Sequence, residues 1–194
     1  MIDFGQITAM LLCAGLSRRF GSRDKLLEPL AGVPLVDHAA RAVASLPFAH
    51  RVAVVPPDQS QLRRLVEQRG FSITVNHRPE DGREQSLRLG LAAVMKGEPE
   101  AVKICLGDMP HVSPAHFRAL ADRGDDDTPA VSLGTGWCSP PVLFPKRFFA
   151  ALLVSRLREL LAGCPNVALV RAPPGTLDDF DTPGDFERAA ADAR

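Results

Sequence analysis

The sequence predicts an α/β fold in which helices cover both faces of a mostly parallel sheet, a Rossmann-like three-layer α/β/α arrangement. Short apolar runs alternate with amphipathic stretches along the 194 residues, as expected of successive strand–helix–strand units. With 45% hydrophobic and 24% charged residues, the composition is typical of a globular protein. A chain of this length can bury one large core, so we expect a single domain over residues 1–194.

The strands are predicted from short apolar runs bounded by glycine, proline or polar residues. The run Arg51-Val52-Ala53-Val54-Val55, for example, is stopped by two consecutive prolines. Strands are expected at residues 7–13, 51–55, 71–75, 101–106, 130–133, 142–144 and 167–170.

The helices are predicted where apolar residues recur at helical spacing behind a residue that suits a helix start. Pro34 fits the first turn of one helix, Asp58 is expected to cap the next, and Ser113 followed by Pro114 begins another. Helices are expected at residues 35–43, from 58 to about 68, and at 85–95, 113–120, 147–153, 156–161 and 183–193.

The charge balance and the cysteines limit the partners and the compartment. Lys+Arg 23 against Asp+Glu 23 gives no basic excess, so we expect neither a nucleic acid nor an anionic membrane as the partner. The four cysteines are widely separated and lack zinc spacing, which predicts free thiols in a reducing compartment. The first residues lack the pattern of a signal peptide, and no run reaches the roughly 18 apolar residues of a membrane helix. We therefore expect a cytoplasmic protein.

The loop after the first predicted strand, residues 14–25, has the composition of an anion site. Gly15 and Gly21 let the backbone approach a ligand, while Arg19 and Lys25 add positive charge, which suits a polyphosphate. The glycine spacing matches neither the P-loop nor the dinucleotide-binding fingerprint, so P-loop ATPases and ordinary Rossmann dehydrogenases are disfavoured. The alternative is a solvated basic loop.

Two carboxylates are candidates for a metal beside this loop. Asp108 follows the strand predicted at 101–106 and so lies at the same sheet edge as the loop, whereas Asp181 stands just before the last predicted helix. Mg²⁺ takes one or two carboxylates together with phosphate oxygens and water, so we predict a Mg²⁺ site at Asp108 and Asp181. The alternatives are a turn-forming role for Asp108 and a helix cap for Asp181.

Three motifs in a characteristic order carry a resemblance to a known family. They are Leu12-x-Ala14-Gly15-x-Ser17-x-Arg19-x-Gly21 followed by Asp24-Lys25-Leu26, then Leu106-Gly107-Asp108-Met109-Pro110, then Asp181-Thr182-Pro183-x-Asp185. Together they resemble the signature loop, the metal motif and the C-terminal motif of the nucleotidyltransferases of the molybdenum cofactor. Ala14-Gly15 and Gly32-x-Pro34-Leu35 look more like the CTP-using molybdopterin cytidylyltransferases than the GTP-using guanylyltransferases, which usually have Gly-Gly at the first pair.

The resemblance implies a nucleotide-diphospho-sugar transferase-like fold and a Mg²⁺-dependent nucleotidyl transfer. The terminal phosphate of molybdopterin would attack the α-phosphorus of CTP, and pyrophosphate would leave. Arg19, Lys25 and Asp108 would be catalytic. The nucleotide would contact Leu12, Ala14, Gly15, Arg19, Lys25, Gly82, Ser86 and Asp108, and the metal ligands would be Asp108 and Asp181. The implied partners are an NTP and molybdopterin, with molybdoenzymes or their assembly chaperones as candidate protein partners.

Two segments depart from the family pattern. Arg83-Glu84-Gln85 replaces the small residues usual between Gly82 and Ser86, and these two residues by themselves indicate only a turn and an early helical position. Pro140 stands where the family usually has a histidine, which bears on the acceptor site.

Several other functions stay open on the sequence alone. A molybdopterin guanylyltransferase, or a sugar-phosphate or methylerythritol-phosphate nucleotidyltransferase, would share the loop and Asp108. An NAD(P)H-dependent oxidoreductase on the same scaffold is a different class of enzyme. A nucleotide-binding protein that assists molybdoenzyme assembly without catalysis is a third class.

Overall fold

The fold consists of nine strands and seven α-helices within residues 2–21 and 23–192, the parts of the chain that the computed structural model describes. The strands are β1 (Ile7–Leu12), β2 (Pro29–Leu30), β3 (Val33–Pro34), β4 (His50–Val55), β5 (Ser72–Val75), β6 (Ala101–Leu106), β7 (Ala130–Leu133), β8 (Cys138–Pro145) and β9 (Ala168–Arg171). The helices are α1 (Leu35–Ala44), α2 (Ser60–Gln68), α3 (Arg83–Met95), α4 (Pro114–Arg123), α5 (Phe149–Val154), α6 (Leu157–Gly163) and α7 (Pro183–Asp192).

The main sheet has the strand order β5-β4-β1-β6-β8-β7-β9. Among the described strands of this sheet, β8 alone runs antiparallel to its neighbours. The loop over 134–137 is too short to join β7 and β8 in a parallel arrangement, because two parallel strands need a crossover connection of about a dozen residues or more. The predicted mostly parallel sheet is confirmed.

Helices cover both faces of this sheet, which confirms the predicted three layers. Helices α1, α2 and α4 pack together on one face, and α3 and α5 pack together on the other. Every residue of β1 and β6 is buried, as continuous apolar runs in a doubly covered sheet predict. Gly90 allows α3 to approach β1 and β4 closely, since a Cβ there would lie 2.7 Å from Val54 Cγ2 and would also collide with Met10.

The candidate site lies at the switch point of the sheet. The chain leaves β1 for β4 and β5 on one side, and then crosses to β6 on the other side of β1. Leu12 and Leu106 are paired in register, so β1 and β6 end at the same level. The loops that follow these two strands therefore open on the same edge, where ligands bind in folds of this class.

Three helix starts differ from their predictions by two residues. Helix α5, expected from residue 147, begins at Phe149, because residues 146–148 form a 3₁₀ turn. The helix expected from Asp58 begins at Ser60, because Pro57 and Asp58 form a turn. The prediction that Asp58 caps this helix is therefore wrong. Helix α3 begins at Arg83, two residues earlier than expected. It follows directly on Gly82, whose φ of 91° is a conformation that favours glycine.

One element was not predicted at all, the two-residue hairpin of β2 and β3. Its turn places Ala31 and Gly32 at φ 49° and 78°, the double left-handed geometry of a tight hairpin turn. The last predicted helix is present as α7, and Ala193, at its expected end, lies outside the described residues.

A buried lysine is the most unusual feature of the core. Lys103, on β6, is fully buried, and its Nζ donates a hydrogen bond of 2.5 Å to the carbonyl oxygen of Phe117. The same Nζ lies 5.5, 5.7 and 5.8 Å from the ring centroids of Phe4, Phe48 and Phe117. Burial lowers the pKa of Lys103 from 10.5 to about 7, although the aromatic rings favour its charged form.

We predict that Lys103 makes the folded state more stable as the pH rises from about 7 to about 10. In this range the unfolded chain holds a proton on Lys103 that the folded chain has released, so the free energy of unfolding increases with pH by up to about 1.4 kcal/mol per pH unit. Below pH 7 both states are protonated and the slope disappears.

Denaturant unfolding of the wild type and Lys103→Met across this range measures the effect as the difference between the two proteins. Lys96→Met, at an exposed position, controls for the loss of a lysine charge. A difference that does not change with pH would contradict the prediction.

Candidate active site

A cleft of about 480 Å³ opens at the ends of β1 and β6. All nine residues that the sequence assigned to nucleotide or metal lie in its wall, so the structure brings them together: Leu12, Ala14, Gly15, Arg19, Lys25, Gly82, Ser86, Asp108 and Asp181. The wall also contains residues that were not predicted to be part of the site: Cys13, Leu16, Ser17, Arg18, Leu26, Pro79, Glu80, Arg83 and Leu106. The nine candidate residues therefore share one cleft, and their binding and catalytic roles stay predictions.

The loop after β1 is folded back on itself by Ser17 and Asp24. The Ser17 hydroxyl donates a hydrogen bond of 3.0 Å to Asp24 Oδ1 and accepts one of 3.2 Å from the backbone N–H of Lys25. Asp24 Oδ1 also accepts a hydrogen bond from the N–H of Leu26. Ser17 itself adopts φ 46°, a left-handed conformation that turns the chain here. These bonds place the Lys25 side chain against the cleft.

Gly15 leaves space in the wall of the cleft. A Cβ at this position would have no heavy atom within 4 Å, and the φ of Gly15 is not in the left-handed region. Neither packing nor backbone geometry therefore requires a glycine here. The open space beside Gly15 suits a ligand that approaches the backbone closely.

A cluster of four charged side chains occupies one side of the cleft. Lys25, only 7% exposed, has its Nζ 2.7 Å from Asp108 Oδ2 and 2.5 Å from Asp181 Oδ1. Arg19 Nη1 lies 3.0 Å from Asp181 Oδ2, so Asp181 is shared by both cations. The three segments that carry these residues are far apart in the sequence and meet at this point.

The charges in this cluster support one another. Burial disfavours the charged form of Lys25, but the carboxylates of Asp108 and Asp181 outweigh it and raise the pKa of the ammonium group. The hydrogen bond from Lys25 lowers the pKa of Asp181, and the charge of Arg19 adds to that effect. Asp179, by contrast, has a raised pKa because it is partly buried and faces the negative charges of Asp181 and Asp108. Lys25 and Asp181 are therefore both charged at neutral pH.

The donor set of the cleft fits a divalent cation that is shared with a phosphate ligand. Asp108 Oδ1 is buried and has no hydrogen-bond partner among the described residues, which leaves a carboxylate oxygen available as a ligand. No group of three or more His, Cys, Asp or Glu side chains within residues 2–21 and 23–192 could hold a metal alone. Two carboxylates completed by phosphate oxygens and water are the arrangement that Mg²⁺ commonly adopts.

The segment that carries Asp181 is attached by hydrogen bonds on both sides of this residue. The N–H of Phe180 donates to the backbone oxygen of Asp108 at 3.0 Å. Asp185 Oδ2 accepts hydrogen bonds from the N–H groups of Asp181 and Thr182 and from the Thr182 hydroxyl, at 2.8, 2.6 and 2.9 Å. Asp185, at the third position of α7, thus supplies the half of a capping box in which a side chain accepts from the N–H before the helix. Asp181 itself is not the cap, so its carboxylate is free to face the cleft.

Aromatic contacts join the same segment to the loop after β1. Phe186 of α7 packs edge-on against Phe20 and Phe180, with ring centroids 5.7 and 5.1 Å apart, and His111 lies 5.5 Å from Phe180. The sequence analysis did not predict these contacts. Phe20, an aromatic residue within an otherwise polar loop, was the signal that could have indicated them.

The other end of the cleft is formed by the start of α3. Ser86, which is buried, accepts a hydrogen bond of 2.9 Å from Asn76 Nδ2. Asn76 lies just after β5 and was not predicted to belong to the site.

Two further segments lie outside the charged cluster. Pro140 does not line the main cleft; it lines a second, small cavity of about 20 Å³ that shares Leu12, Arg83 and Leu106 with it. The run 125–127 forms an exposed turn in which the N–H of Asp127 donates to Asp125 Oδ1. That contact is the Asx turn of a solvated loop.

We predict that Asp185→Ala destabilises the protein by about 1–2 kcal/mol, the cost of losing a helix cap. Asp185→Asn keeps one acceptor oxygen for the N–H groups of Asp181 and Thr182, so this variant should lose less stability. Denaturant unfolding of both variants measures the difference. Arg188→Ala removes the surface partner of Asp185 without removing the cap and serves as the control. Equal losses in Asp185→Ala and Arg188→Ala would contradict the prediction.

A family model described as "MobA-like NTP transferase domain" matches residues 9–170 of the chain. A probable molybdenum cofactor guanylyltransferase from Natronomonas pharaonis is 28% identical over 95% of this chain and 97% of its own length. The bifunctional protein GlmU of Sphingopyxis alaskensis is 35% identical over 64% of this chain, which corresponds to 28% of the length of GlmU.

Solved structures share the fold. Rv0371c from Mycobacterium tuberculosis H37Rv is 25% identical and superposes with a TM-score of 0.83 over 95% of this chain and 96% of that chain. A complex of Rv0371c with manganese has a TM-score of 0.78 at 22% identity, over 95% of this chain and 97% of that one. The 4-diphosphocytidyl-2C-methyl-D-erythritol synthase of Anaerococcus prevotii has a TM-score of 0.79 at 15% identity, over 97% and 96%. None of the helices in the described residues has the length and apolar character needed to cross a bilayer.

Proposed function

The chain belongs to the MobA-like NTP transferase family and is a nucleotidyltransferase, and we propose that it joins CMP from CTP to the terminal phosphate of molybdopterin. One observation carries the proposal: Arg19, Lys25, Asp108 and Asp181 meet at one cleft of about 480 Å³. A triphosphate needs such a combination of fixed cations and carboxylates that can share a metal.

The reaction places few demands on acid–base chemistry. An oxygen of the molybdopterin phosphate forms a bond with the α-phosphorus of CTP, the bond from that phosphorus to the bridging oxygen breaks, and pyrophosphate departs. The attacking phosphate is already an anion near pH 7, so a strong general base is unnecessary. The protein must instead align the two phosphates and offset their charge.

The residues of the cleft match those tasks. Arg19 and Lys25 would contact the α-phosphate and the departing pyrophosphate, while Gly15 gives the phosphates room beside the backbone. Asp108 and Asp181 would hold Mg²⁺, which when bound supplies positive charge to the phosphate oxygens. The unpartnered Oδ1 of Asp108 and the occurrence of a manganese complex for the similarly folded Rv0371c support that assignment.

The choice of CTP is supported by the width of the cleft at Ala14. Ala14 is buried beside Gly15 in the wall of the cleft, and its methyl group occupies space that a glycine would leave free. A narrower site favours a pyrimidine over a purine. GTP is the second candidate, because a probable guanylyltransferase is 28% identical over nearly the whole chain.

The acceptor and the cellular setting belong to the same proposal. Molybdopterin as the acceptor is supported by the name of the relative from Natronomonas pharaonis and by the motif at Asp181-Thr182-Pro183. Molybdoenzymes or their chaperones would receive the product. A cytoplasmic location is supported by the wide spacing of the four cysteines.

We predict that Lys25→Ala and Asp108→Ala each lower the rate of pyrophosphate release from CTP and molybdopterin by about 100-fold or more, comparable to the loss of one preorganised charge-stabilising group. The assay measures single-turnover pyrophosphate release with Mg²⁺. Lys146→Ala removes an exposed lysine paired with Glu100 at 3.4 Å, away from the cleft, and is the matched control. Full rates in both cleft variants would rule out the proposed site.

We also predict that CTP is the preferred nucleotide. With molybdopterin and Mg²⁺ held constant, kcat/KM for pyrophosphate release should be highest for CTP when CTP, GTP, ATP and UTP are compared. Ala14→Gly should reduce the difference in kcat/KM between CTP and GTP, because it removes a methyl group from the wall of the cleft. A wild-type preference for GTP would replace the cytidylyl assignment with the guanylyl one.

A further inference from the structure

Asn76 is a fully buried polar residue that joins the end of β5 to the wall of the cleft. Its backbone N–H donates to the carbonyl oxygen of Val55 at 2.8 Å, which fixes its main chain beside β4. Its side chain makes two hydrogen bonds: Oδ1 accepts from the N–H of Arg78 at 2.9 Å, and Nδ2 donates to Ser86 Oγ at 2.9 Å. The structure thus links a residue outside the cleft to one that lines it.

The orientation of the Asn76 amide follows from these partners. A backbone N–H can only donate, so the atom that faces Arg78 must be the amide oxygen. The other end of the amide is then the NH₂ group, and that is the end that faces Ser86. The backbone N–H of Arg78 therefore fixes the orientation of the amide, and Asn76 is the donor in its hydrogen bond with Ser86.

This direction sets the polarity of the Ser86 hydroxyl. A hydroxyl has one proton to donate and two lone pairs, and the Asn76 NH₂ group occupies one lone pair. Ser86 Oγ donates to no acceptor among the described residues, including the carbonyl oxygens of its own helix. Because Ser86 lines the cleft, its proton is available to a ligand bound there.

We propose that Asn76 is a positioning residue that holds the Ser86 hydroxyl as a hydrogen-bond donor to an acceptor atom of the nucleotide base. The inference rests on the proposed function, and it places the nucleotide base at the end of the cleft that the start of α3 forms. It assigns a role in nucleotide specificity to Asn76, which does not line the cleft but contacts Ser86, which does. Asn76 touches the nucleotide only through Ser86.

The polarity matches a cytosine base. The Watson–Crick edge of cytosine presents O2 and N3, both acceptors, next to one amino group. Guanine presents on that edge an N–H and an amino group, which are donors, next to one carbonyl oxygen. A fixed hydroxyl donor therefore favours cytosine, which offers two acceptors on this edge where guanine offers one, and a reversed hydroxyl would oppose cytosine binding.

The test is a near-isosteric reversal of the Asn76 hydrogen bond. In Asn76→Asp one carboxylate oxygen still accepts from Arg78, while the other accepts the Ser86 proton and turns the hydroxyl lone pairs towards the cleft. CTP affinity, measured by calorimetry with Mg²⁺ at pH 8 and without acceptor, should fall roughly 10- to 100-fold, as expected when an acceptor faces another acceptor. In Ser86→Ala, which loses only the hydroxyl donor, the CTP affinity should fall roughly 3- to 10-fold.

A double-mutant cycle separates this role from a structural one. In a Ser86→Ala background, Asn76→Asp should change CTP affinity by less than about threefold, because the hydroxyl that it reverses is gone. An equal loss in both backgrounds would overturn the proposal. So would an unchanged CTP affinity in Ser86→Ala.

A second variant is decisive if Asn76→Asp does not fold, as judged by circular dichroism. Asn76→Leu frees the Ser86 hydroxyl to rotate without reversing it, so its loss of CTP affinity should be smaller than that of Ser86→Ala. A larger loss in Asn76→Leu would show that the loop rather than the hydroxyl depends on Asn76, and would overturn the proposal.

These binding measurements distinguish the two levels of inference. If the wild type binds CTP and the cycle fails, the role of Asn76 is wrong while the proposed function stands. If the wild type binds GTP and not CTP, the cytidylyl assignment fails and the donor role of Ser86 towards a cytosine base fails with it. Pyrophosphate release with molybdopterin then establishes independently whether nucleotidyl transfer occurs.

Discussion

The arrangement of the site depends on one ammonium group shared between two carboxylates. Lys25 Nζ lies 2.7 Å from Asp108 and 2.5 Å from Asp181, and it is largely removed from solvent. A buried cation of this kind is stable only because its carboxylate partners offset the loss of its hydration. The loop after β1, the end of β6 and the segment before α7 are therefore held in one arrangement by charge. The capping by Asp185 and the ring contacts of Phe186 support that arrangement from behind.

The topology explains why this cluster forms where it does. The two central strands, β1 and β6, are parallel and end at the same edge of the sheet. In the order β4-β1-β6, the chain continues from β1 towards one side of the sheet and from β6 towards the other, which leaves a crevice between the two loops. Lys25 and Asp108 are each delivered by the loop of a central strand. Asp181 comes from outside the sheet, so it needs its own attachment, which the Phe180 N–H supplies through the backbone oxygen of Asp108.

The sequence predicted the fold class, and it predicted that the candidate site residues lie at one sheet edge, because both depend on local patterns. Continuous apolar runs identify β1 and β6, and the polar residues that follow such strands must lie at the sheet edge. The Asp58 cap was predicted wrongly because the turn after two prolines delays the helix. Asn76 and the contacts of Phe186 were missed because their partners lie in other elements, and no spacing along the chain records such meetings. The β2–β3 hairpin has only two residues per strand, too few for a periodic signal.

The distance along the chain between Lys25 and Asp181 has a consequence for synthesis on the ribosome. All the parallel strands that flank the cleft, together with Lys25 and Asp108, emerge well before Asp181, which lies 156 positions after Lys25. A nascent chain can therefore assemble the centre of its sheet while one wall of the cleft is still missing. Until Asp181 has left the exit tunnel, the Lys25 ammonium has only one of its two carboxylate partners. The cleft is therefore completed only when the segment that carries Asp181 folds onto the sheet.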